Sequence, residues 1–175
     1  RSLRQNFGMV LQDTWIKTST VRENIALGKP DATQDEIVAA AKACHADGFI
    51  RRLPDGYDHQ LKLGGRGVSA GQAQRIALAR AVFGDPAILI LDEPNAHLDT
   101  EGDAALIMAL GKLKALGRTI IIVSHKSGIL PLVDTILVMR DGRVDMFGPR
   151  DQVLAKMSPA GKRSIGMASV GQAAR

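Results

Sequence analysis

Two carboxylates stand directly after an apolar run in the middle of the chain. Asp92 and Glu93 follow Ala87–Leu91, an uninterrupted apolar run that predicts a parallel strand covered on both faces. Two carboxylates at the end of a buried strand are costly unless a cation or a catalytic task uses them. An aspartate placed there can hold Mg²⁺, usually through water, and a neighbouring glutamate can orient or deprotonate a nucleophilic water. For Asp92 alone, a cap of the next helix is the alternative.

A second apolar run ends on residues that could take part in the same chemistry. Ser124 and His125 follow Thr119–Val123, which again predicts a strand that is covered on both faces. In open parallel sheets the active site lies at the carboxyl ends of the strands. We therefore expect the residues that follow both strands to belong to one site.

The start of a predicted helix forms a third candidate site. Ser69 and Gln72 make a capping box, and Ala70 and Gly71 lie between them in the first turn. The first-turn N–H groups point outward with the positive end of the helix dipole, and Gly71 lets a backbone approach a ligand closely. Such a terminus suits a phosphate group. Taken alone, the same residues are only a capped helix.

Capping and periodicity predict the helices that surround these residues. Thr33 and Glu36 form a second capping box, and a short helix is predicted over Gly48–Leu53. The helix that opens at Ser69 is expected to end near Phe83, and a further helix is expected over residues 101–116. This last helix joins the two apolar strands, so that strand, helix and strand form a βαβ unit.

Strands are also expected at the two ends of the chain. The apolar residues Met9–Leu11 predict the end of a strand, which is followed by the polar residues Gln12 and Asp13. A hairpin is predicted from Ile136–Met139 and Val144–Phe147, because an Asp-Gly pair at the turn joins them.

Composition limits the class of protein. The apolar share of 45% fits a globular domain, and the aromatic share of 3% argues against a nucleic-acid surface built from stacked rings. The net charge of +5 permits nucleic-acid binding but is spread along the chain, so we expect no nucleic-acid partner. Cys44 has no second cysteine to pair with, which fits a reducing cytoplasm. No apolar run approaches the ~20 residues of a membrane helix.

The order of the motifs resembles that of an ABC transporter ATPase from Phe7 to about Leu154. Gln12 resembles the Q-loop glutamine, and VSAGQAQRIALARA, from Val68, resembles the signature motif in a variant form. ILILDEP resembles the Walker B strand, NAHLD (residues 95–99, with His97) the D-loop, and His125 the switch histidine. Each motif alone is modest support, but five motifs in this order are specific.

The resemblance implies a fold and a division of the chain. The fold would be α/β, a P-loop NTPase (RecA-like) parallel sheet flanked by helices, with an inserted α-helical subdomain and without its N-terminal part. Residues 1–14 would end the first core segment with the Q-loop, and residues 15–66 would form the helical subdomain. Residues 67–157 would complete the core, and 158–175 would be a flexible tail.

The resemblance also implies roles for the candidate residues. Asp92 would coordinate the Mg²⁺ of MgATP, Glu93 would be the general base, and His125 would contact the γ-phosphate and the attacking water. Gln12 would sense the metal and couple it to a membrane domain. The remaining nucleotide contacts would come from the signature and the D-loop, namely Ser69, Ala70, Gly71, Gln72 and Asp99. The signature residues would bind ATP held by the opposite subunit, which makes the active unit a head-to-tail homodimer.

One motif of the family is not found in the sequence. No G-x-x-x-x-G-K-[ST] phosphate loop occurs, since Gly28-Lys29 precedes Pro30 and Gly161-Lys162 precedes Arg163. In the family this loop lies N-terminal to the Q-loop, so we expect it, an adenine-stacking aromatic residue and a transmembrane domain upstream of Arg1. The chain would then be an inactive fragment, with an apolar strand edge uncovered on Ala87–Leu91 or Thr119–Val123.

The type of transporter is indicated by short segments. VRENIALGKPDAT and FIRRLPDGYD resemble exporters with fused membrane and ATPase domains, including multidrug and lipid exporters. SAGQAQRIALARAVFGDP, LDEPNAHLD and DGRVDMFGPRDQVLA resemble type I protein secretion ATPases of the alkaline-protease exporter group, which we favour. This implies a place on the cytoplasmic face of the bacterial inner membrane, with a periplasmic adaptor and an outer-membrane channel as partners. A soluble ABC ATPase of DNA repair or ribosomes is the further alternative.

Overall fold

The computed structural model describes residues 6–12, 15–96 and 98–157. The chain forms two compact units, Arg1–Ser127 and Gly128–Arg175, and each is described here by itself. Asp13, His97 and the tail predicted over 158–175 lie outside the described residues. Within the described ranges, no helix has the length and apolar character needed to cross a membrane.

The first unit combines short strands with five α-helices among its described residues. Its strands are β1 (Phe7–Val10), β2 (Ser19–Thr20), β3 (Gln60–Leu61), β4 (Ile88–Asp92) and β5 (Thr119–Val123). Its helices are α1 (Val21–Ile25), α2 (Gln34–Ala43), α3 (Asp47–Ile50), α4 (Ala70–Val82) and α5 (Thr100–Ala115).

The core of this unit is a parallel sheet in the order β1-β4-β5. Val10 pairs with Leu91, and Leu91 pairs with Ile122 on the other side, so all three strands end at the same edge. The parallel strand–helix–strand unit formed by β4, α5 and β5 is confirmed. Leu89 and Leu91 are fully buried in β4, the central strand of the described sheet.

Strand β5 differs from the expectation. Ile121 and Val123 are 50% and 56% exposed, so the prediction that this strand is covered on both faces is wrong. Both side chains lie on the face that also carries Thr119, and β5 is an edge strand of the described sheet. The sequence predicted an uncovered strand edge on either Ala87–Leu91 or Thr119–Val123. Ala87–Leu91 lies almost entirely in the central strand, which pairs on both sides, so it cannot form that edge, whereas β5 can.

The segment between β1 and α4 contains the short helices α1, α2 and α3 and the strands β2 and β3. Helix α2 begins at the predicted capping box, in which Glu36 N–H donates to Thr33 Oγ1 at 3.3 Å and Thr33 N–H donates to Glu36 Oε2 at 2.8 Å. Helix α1 has the same kind of cap, formed by Thr20 and Glu23. Helix α3 begins one residue earlier and ends three residues earlier than predicted. Both α1 and α2 pack against α4, while β2 and β3 form a small antiparallel pair.

The second unit is a hairpin followed by a helix. Its elements are β6 (Thr135–Arg140), β7 (Arg143–Pro149) and α6 (Arg150–Met157), and β6 pairs antiparallel with β7 as predicted. Asp141 and Gly142 at the turn both have positive φ, 50° and 73°, which is the conformation that a tight hairpin turn requires. Val153 of α6 is the buried apolar residue of that helix.

Candidate active site

Glu93 follows the central strand in an unusual backbone conformation. Its φ is +45°, and its N–H donates to Val123 O at 2.8 Å, so its backbone is still hydrogen-bonded to β5 directly after Asp92. A non-glycine residue in this region costs about 1–3 kcal/mol and is found where the surroundings hold it, often at functional sites. The Glu93 side chain is only 11% exposed. The carboxylate is therefore held in place and largely shielded from water.

The structure brings His125 onto this carboxylate. Its Nδ1 lies 2.7 Å from Glu93 Oε1, and its backbone N–H donates to the same oxygen at 3.0 Å. The imidazole is otherwise exposed, with 76% of its side-chain surface open. An Nδ1–H that donates to a carboxylate fixes the ring orientation and leaves Nε2 available to a reacting group.

Ser124 follows β5 as expected, and it lies near Asn95 and Lys126, two residues for which no role was predicted from the sequence. Ser124 Oγ lies 3.4 Å from both Glu93 Oε2 and Asn95 Oδ1, and it accepts from Lys126 N–H at 3.1 Å. Lys126 Nζ donates to Asn95 O at 2.6 Å, and Asn95 itself is buried. The sequence signal that could have identified Asn95 and Lys126 is that each lies within two residues of Glu93 or His125. They tie the turn after β4 to the turn after β5.

Asp92 and Gln12 lie at the same edge of the sheet. Asp92 is the last residue of β4, pairs with Val123, and has an intermediate exposure. Gln12 stands two residues beyond Val10, the last residue of β1, and is exposed.

The described residues contain no cluster of three or more His, Cys, Asp or Glu that could hold a metal ion. Mg²⁺ is commonly bound through one or two carboxylates, waters and substrate phosphates rather than by a cage of protein ligands. The carboxylate of Asp92, half-buried at the strand end, fits that mode.

The start of α4 is capped as the sequence predicted. Gln72 N–H donates to Ser69 Oγ at 3.2 Å, and Ser69 N–H donates to Gln72 Oε1 at 2.9 Å. Ser69 and Ala70 are exposed. A Cβ added at Gly71 would meet Leu98 at 3.6 Å and Gly102 at 3.7 Å, which is ordinary contact. Gly71 therefore lies against the start of α5, and it has room for a methyl group but not for much more.

Asp99 has a structural role in the described site. Its Oδ1 accepts from Gly102 N–H at 2.8 Å, which caps the N-terminus of α5. Its predicted contact with nucleotide stays a prediction. No hydrogen bond found among the described residues joins the start of α4 to Glu93 or His125.

The fold and this edge of the sheet define a class of protein. A parallel sheet whose central strand ends in Asp92 and is followed by Glu93, with His125 shortly after the neighbouring strand, is an arrangement suited to nucleotide hydrolysis. The model of the ABC transporter family matches residues 1–96, more than half of the chain. The chain belongs to this family, whose ATP-binding domain binds and hydrolyses ATP.

Individual relatives agree with the family. The chain is 44% identical over 156 residues to the type I secretion system ATP-binding protein PrsD of Rhizobium meliloti, covering 89% of this chain and 27% of that protein. It is 41% identical over 156 residues to the fatty acid ABC transporter ATP-binding/permease protein of Mycobacterium tuberculosis, covering 89% of this chain and 25% of that protein. The chain thus spans about a quarter of the length of both relatives.

A solved structure supports the fold. A bacterial Atm1-family ABC exporter with ATP bound aligns with a TM-score of 0.80 at 33% sequence identity. The alignment covers 99% of this chain and 30% of that chain. The α/β fold of a P-loop NTPase, with a parallel sheet flanked by helices, is therefore confirmed.

Proposed function

We propose that this chain is part of the ATPase domain of an ABC exporter, which works as a head-to-tail homodimer and serves type I protein secretion. The observation that carries the proposal is the Glu93–His125 pair beside Asp92 at the carboxyl edge of the parallel sheet. The domain assignment that goes with it places the helical subdomain at residues 15–66 and the core at 1–14 and 67–157.

The chemistry assigned to the edge residues follows from their contacts. Glu93 takes the proton of the attacking water, and its Oε1 is already held by two N–H groups of His125. The Nε2 side of the exposed His125 ring faces the γ-phosphate and the water. Asp92 would hold Mg²⁺, which supplies positive charge to the phosphates when it is bound with ATP. Gln12, two residues beyond the end of the neighbouring strand β1, would sense the metal.

The start of α4 serves the other subunit. Ser69, Ala70, Gly71 and Gln72 contact the γ-phosphate of ATP held by the second copy, and Asp99 contributes from the D-loop. The exposure of Ser69 and Ala70 supports this role, because a helix terminus that binds a partner's phosphate must be open to it.

The likeness to PrsD supports protein secretion as the transport process. The partners then include a membrane domain in the same polypeptide, a periplasmic adaptor and an outer-membrane channel, and the domain lies at the cytoplasmic face of the inner membrane. The similar identity to a fatty acid transporter supports a lipid exporter as the second candidate. Sequencing upstream of Arg1 tests the exporter class, for which we expect several apolar segments of about 20 residues. An upstream sequence without any such segment would favour a soluble ATPase.

The role of Glu93 is tested in a chimera in which this chain replaces the matching segment of PrsD. Glu93→Gln should lower ATP turnover by roughly 10²–10⁴-fold, the usual contribution of a positioned general base. ATP binding should persist, because the amide keeps the shape of the carboxylate. Asp35→Asn, a change at an exposed carboxylate in the first turn of α2, is the matched control and should keep the parent turnover. Near-parent turnover in Glu93→Gln would remove Glu93 from the mechanism.

A further inference from the structure

Arg80, in the last turn of α4, binds three acceptors in the segment that follows β1. Its Nε donates to Asn24 O at 2.7 Å, Nη2 donates to Asn24 Oδ1 at 2.8 Å, and Nη1 donates to Trp15 O at 2.7 Å. The guanidinium carbon also lies 5.6 Å from the centre of the Trp15 ring. The planar fork of an arginine suits such a set of acceptors, which a lysine cannot reproduce.

Arg80 is half-buried, and no acidic partner is found for it among the described residues. None of the ion pairs between described residues involves it, and burial lowers the pKa of the guanidinium. Burying an unpaired charge is costly, and hydrogen bonds to carbonyl oxygens offset that cost only in part. An uncharged residue would be easier to bury here. We therefore attribute the arginine at this position to the geometry of its guanidinium, which matches the three acceptors, and not to a gain in the stability of the fold.

Asn24 extends the hold of Arg80 to the preceding residues. Its side chain is fully buried, and its Oδ1 accepts from Lys17 N–H at 2.9 Å. Its Nδ2 donates to Lys17 O at 3.0 Å and to Thr20 O at 3.0 Å. The backbone from Trp15 to Thr20 is thus fastened to Asn24 and Arg80 together.

Helix α4 connects these contacts of Arg80 to the proposed phosphate-binding residues at the other end of the helix. Ser69 caps the first turn of α4 and Arg80 lies in its last turn, roughly 16 Å away along the axis at about 1.5 Å per residue. At that end, Arg80 holds Trp15, which stands three residues after Gln12. A helix of this length moves as a unit, so a displacement of its start must displace the residues that Arg80 holds.

We propose that Arg80 is a positioning residue that transmits the position of the α4 start to the segment Trp15–Lys17 beside Gln12. The proposal rests on the proposed function, in which the start of α4 contacts nucleotide. Arg80 itself touches no substrate. It fixes the position of the phosphate-facing end of α4 relative to Trp15–Lys17, the segment that follows Gln12 in the chain.

The contact is tested first by fluorescence of the 175-residue chain, because Trp15 is its single tryptophan. Arg80→Lys should shift the Trp15 emission to longer wavelength and increase its quenching by acrylamide. Arg75→Lys is the matched control on the same helix, because Arg75 donates to Gly71 O and His45 O instead. The control should leave the emission unchanged. Equal emission and quenching in Arg80→Lys and in the parent chain would overturn the proposal.

The transmission is tested by ATP turnover in the PrsD chimera. Arg80→Lys should lower kcat by roughly 5–150-fold, the usual range for coupling between two sites, with KM for ATP within about twofold of the parent. Arg80→Gln, which removes the half-buried charge, should do the same and guards against misfolding of the lysine variant. Parent kinetics in both variants would overturn the proposal. A failure of the proposed function would instead appear as equal turnover in the parent and Glu93→Gln chimeras.

Discussion

Several candidate residues of the site also hold its local structure together. Ser69 and Asp99 cap α4 and α5, and Gly71 lies where the starts of these two helices meet. A cap is worth about 0.5–2 kcal/mol, so a loss of activity on replacing Ser69 or Asp99 would mix stability with chemistry. Substitutions that leave the caps intact separate the two effects, and Gly71 offers such a pair.

Gly71→Ala and Gly71→Asp differ in what they place at the start of α4. The alanine Cβ makes only ordinary contact with Leu98 and Gly102, so this variant should fold and keep ATP turnover within a few fold of the parent chimera. The aspartate adds a negative charge where we place a phosphate, so turnover should be lost. Binding of ATP by the isolated subunit should persist in both variants, because the signature acts on the partner's nucleotide.

Equilibrium binding of a fluorescent ATP analogue and steady-state turnover check this pair. Loss of ATP binding by the Gly71→Asp subunit alone, with the alanine variant unaffected, would contradict the assignment to the opposite subunit. Equal loss of turnover in both variants would show that any side chain at position 71, and not the added charge, prevents turnover.

At the scale of elements, local signals predicted most of the secondary structure. Helices α2 and α4 begin at capping boxes, and the β6–β7 turn is an Asp-Gly pair, so each is encoded by neighbouring residues. The exposure of β5 could not be predicted in this way. An apolar run of five residues is the same whether or not another element covers it, because coverage depends on segments that are distant in sequence.

The exposed face of β5 leads to a prediction about solubility. Ile121 and Val123 project from an edge strand of the described sheet, and exposed apolar edges favour pairing between molecules. Ile121→Lys should therefore reduce aggregation of the 175-residue chain. Thr119→Lys, on the same face but replacing a polar residue, adds the same charge without removing an apolar side chain.

Light scattering during a slow temperature ramp measures the difference between the two variants. We expect a clear rise in the aggregation temperature for Ile121→Lys and a smaller one for Thr119→Lys. Equal effects would mean that net charge, rather than the exposed strand, controls association. In a chimera that covers this face of β5, Ile121→Lys should instead destabilise the fold.

At the scale of the molecule, the common location of the proposed reactive residues was predictable, and the long-range contacts of Arg80 were not. Asp92, Glu93 and His125 follow apolar strands, and parallel strands bring their carboxyl ends to one edge. The Arg80–Trp15 contact joins residues 65 positions apart and leaves no periodic signal in either segment. Such long-range polar contacts depend on the tertiary fold, which one sequence specifies only indirectly.

The described residues contain only part of the groups that ATP hydrolysis requires. The described residues include the proposed base, its histidine and the carboxylate that we propose binds Mg²⁺, and the sequence contains no phosphate-loop motif. In NTPases of this kind the loop backbone and its lysine hold the β- and γ-phosphates. Asp92 alone is a weak site for Mg²⁺ when those phosphates do not supply the other ligands. The 175 residues should therefore depend on a loop supplied by another segment of chain.

Steady-state MgATP hydrolysis by the 175-residue chain and by its PrsD chimera tests this account most directly. We expect no hydrolysis above background from the chain alone, although Asp92, Glu93 and His125 are all present. The chimera, in which PrsD supplies the phosphate loop, should hydrolyse ATP in a saturable, Mg²⁺-dependent manner, and Glu93→Gln should abolish most of that activity. Saturable, Mg²⁺-dependent hydrolysis by the chain alone, or a folded chimera without activity, would contradict the account.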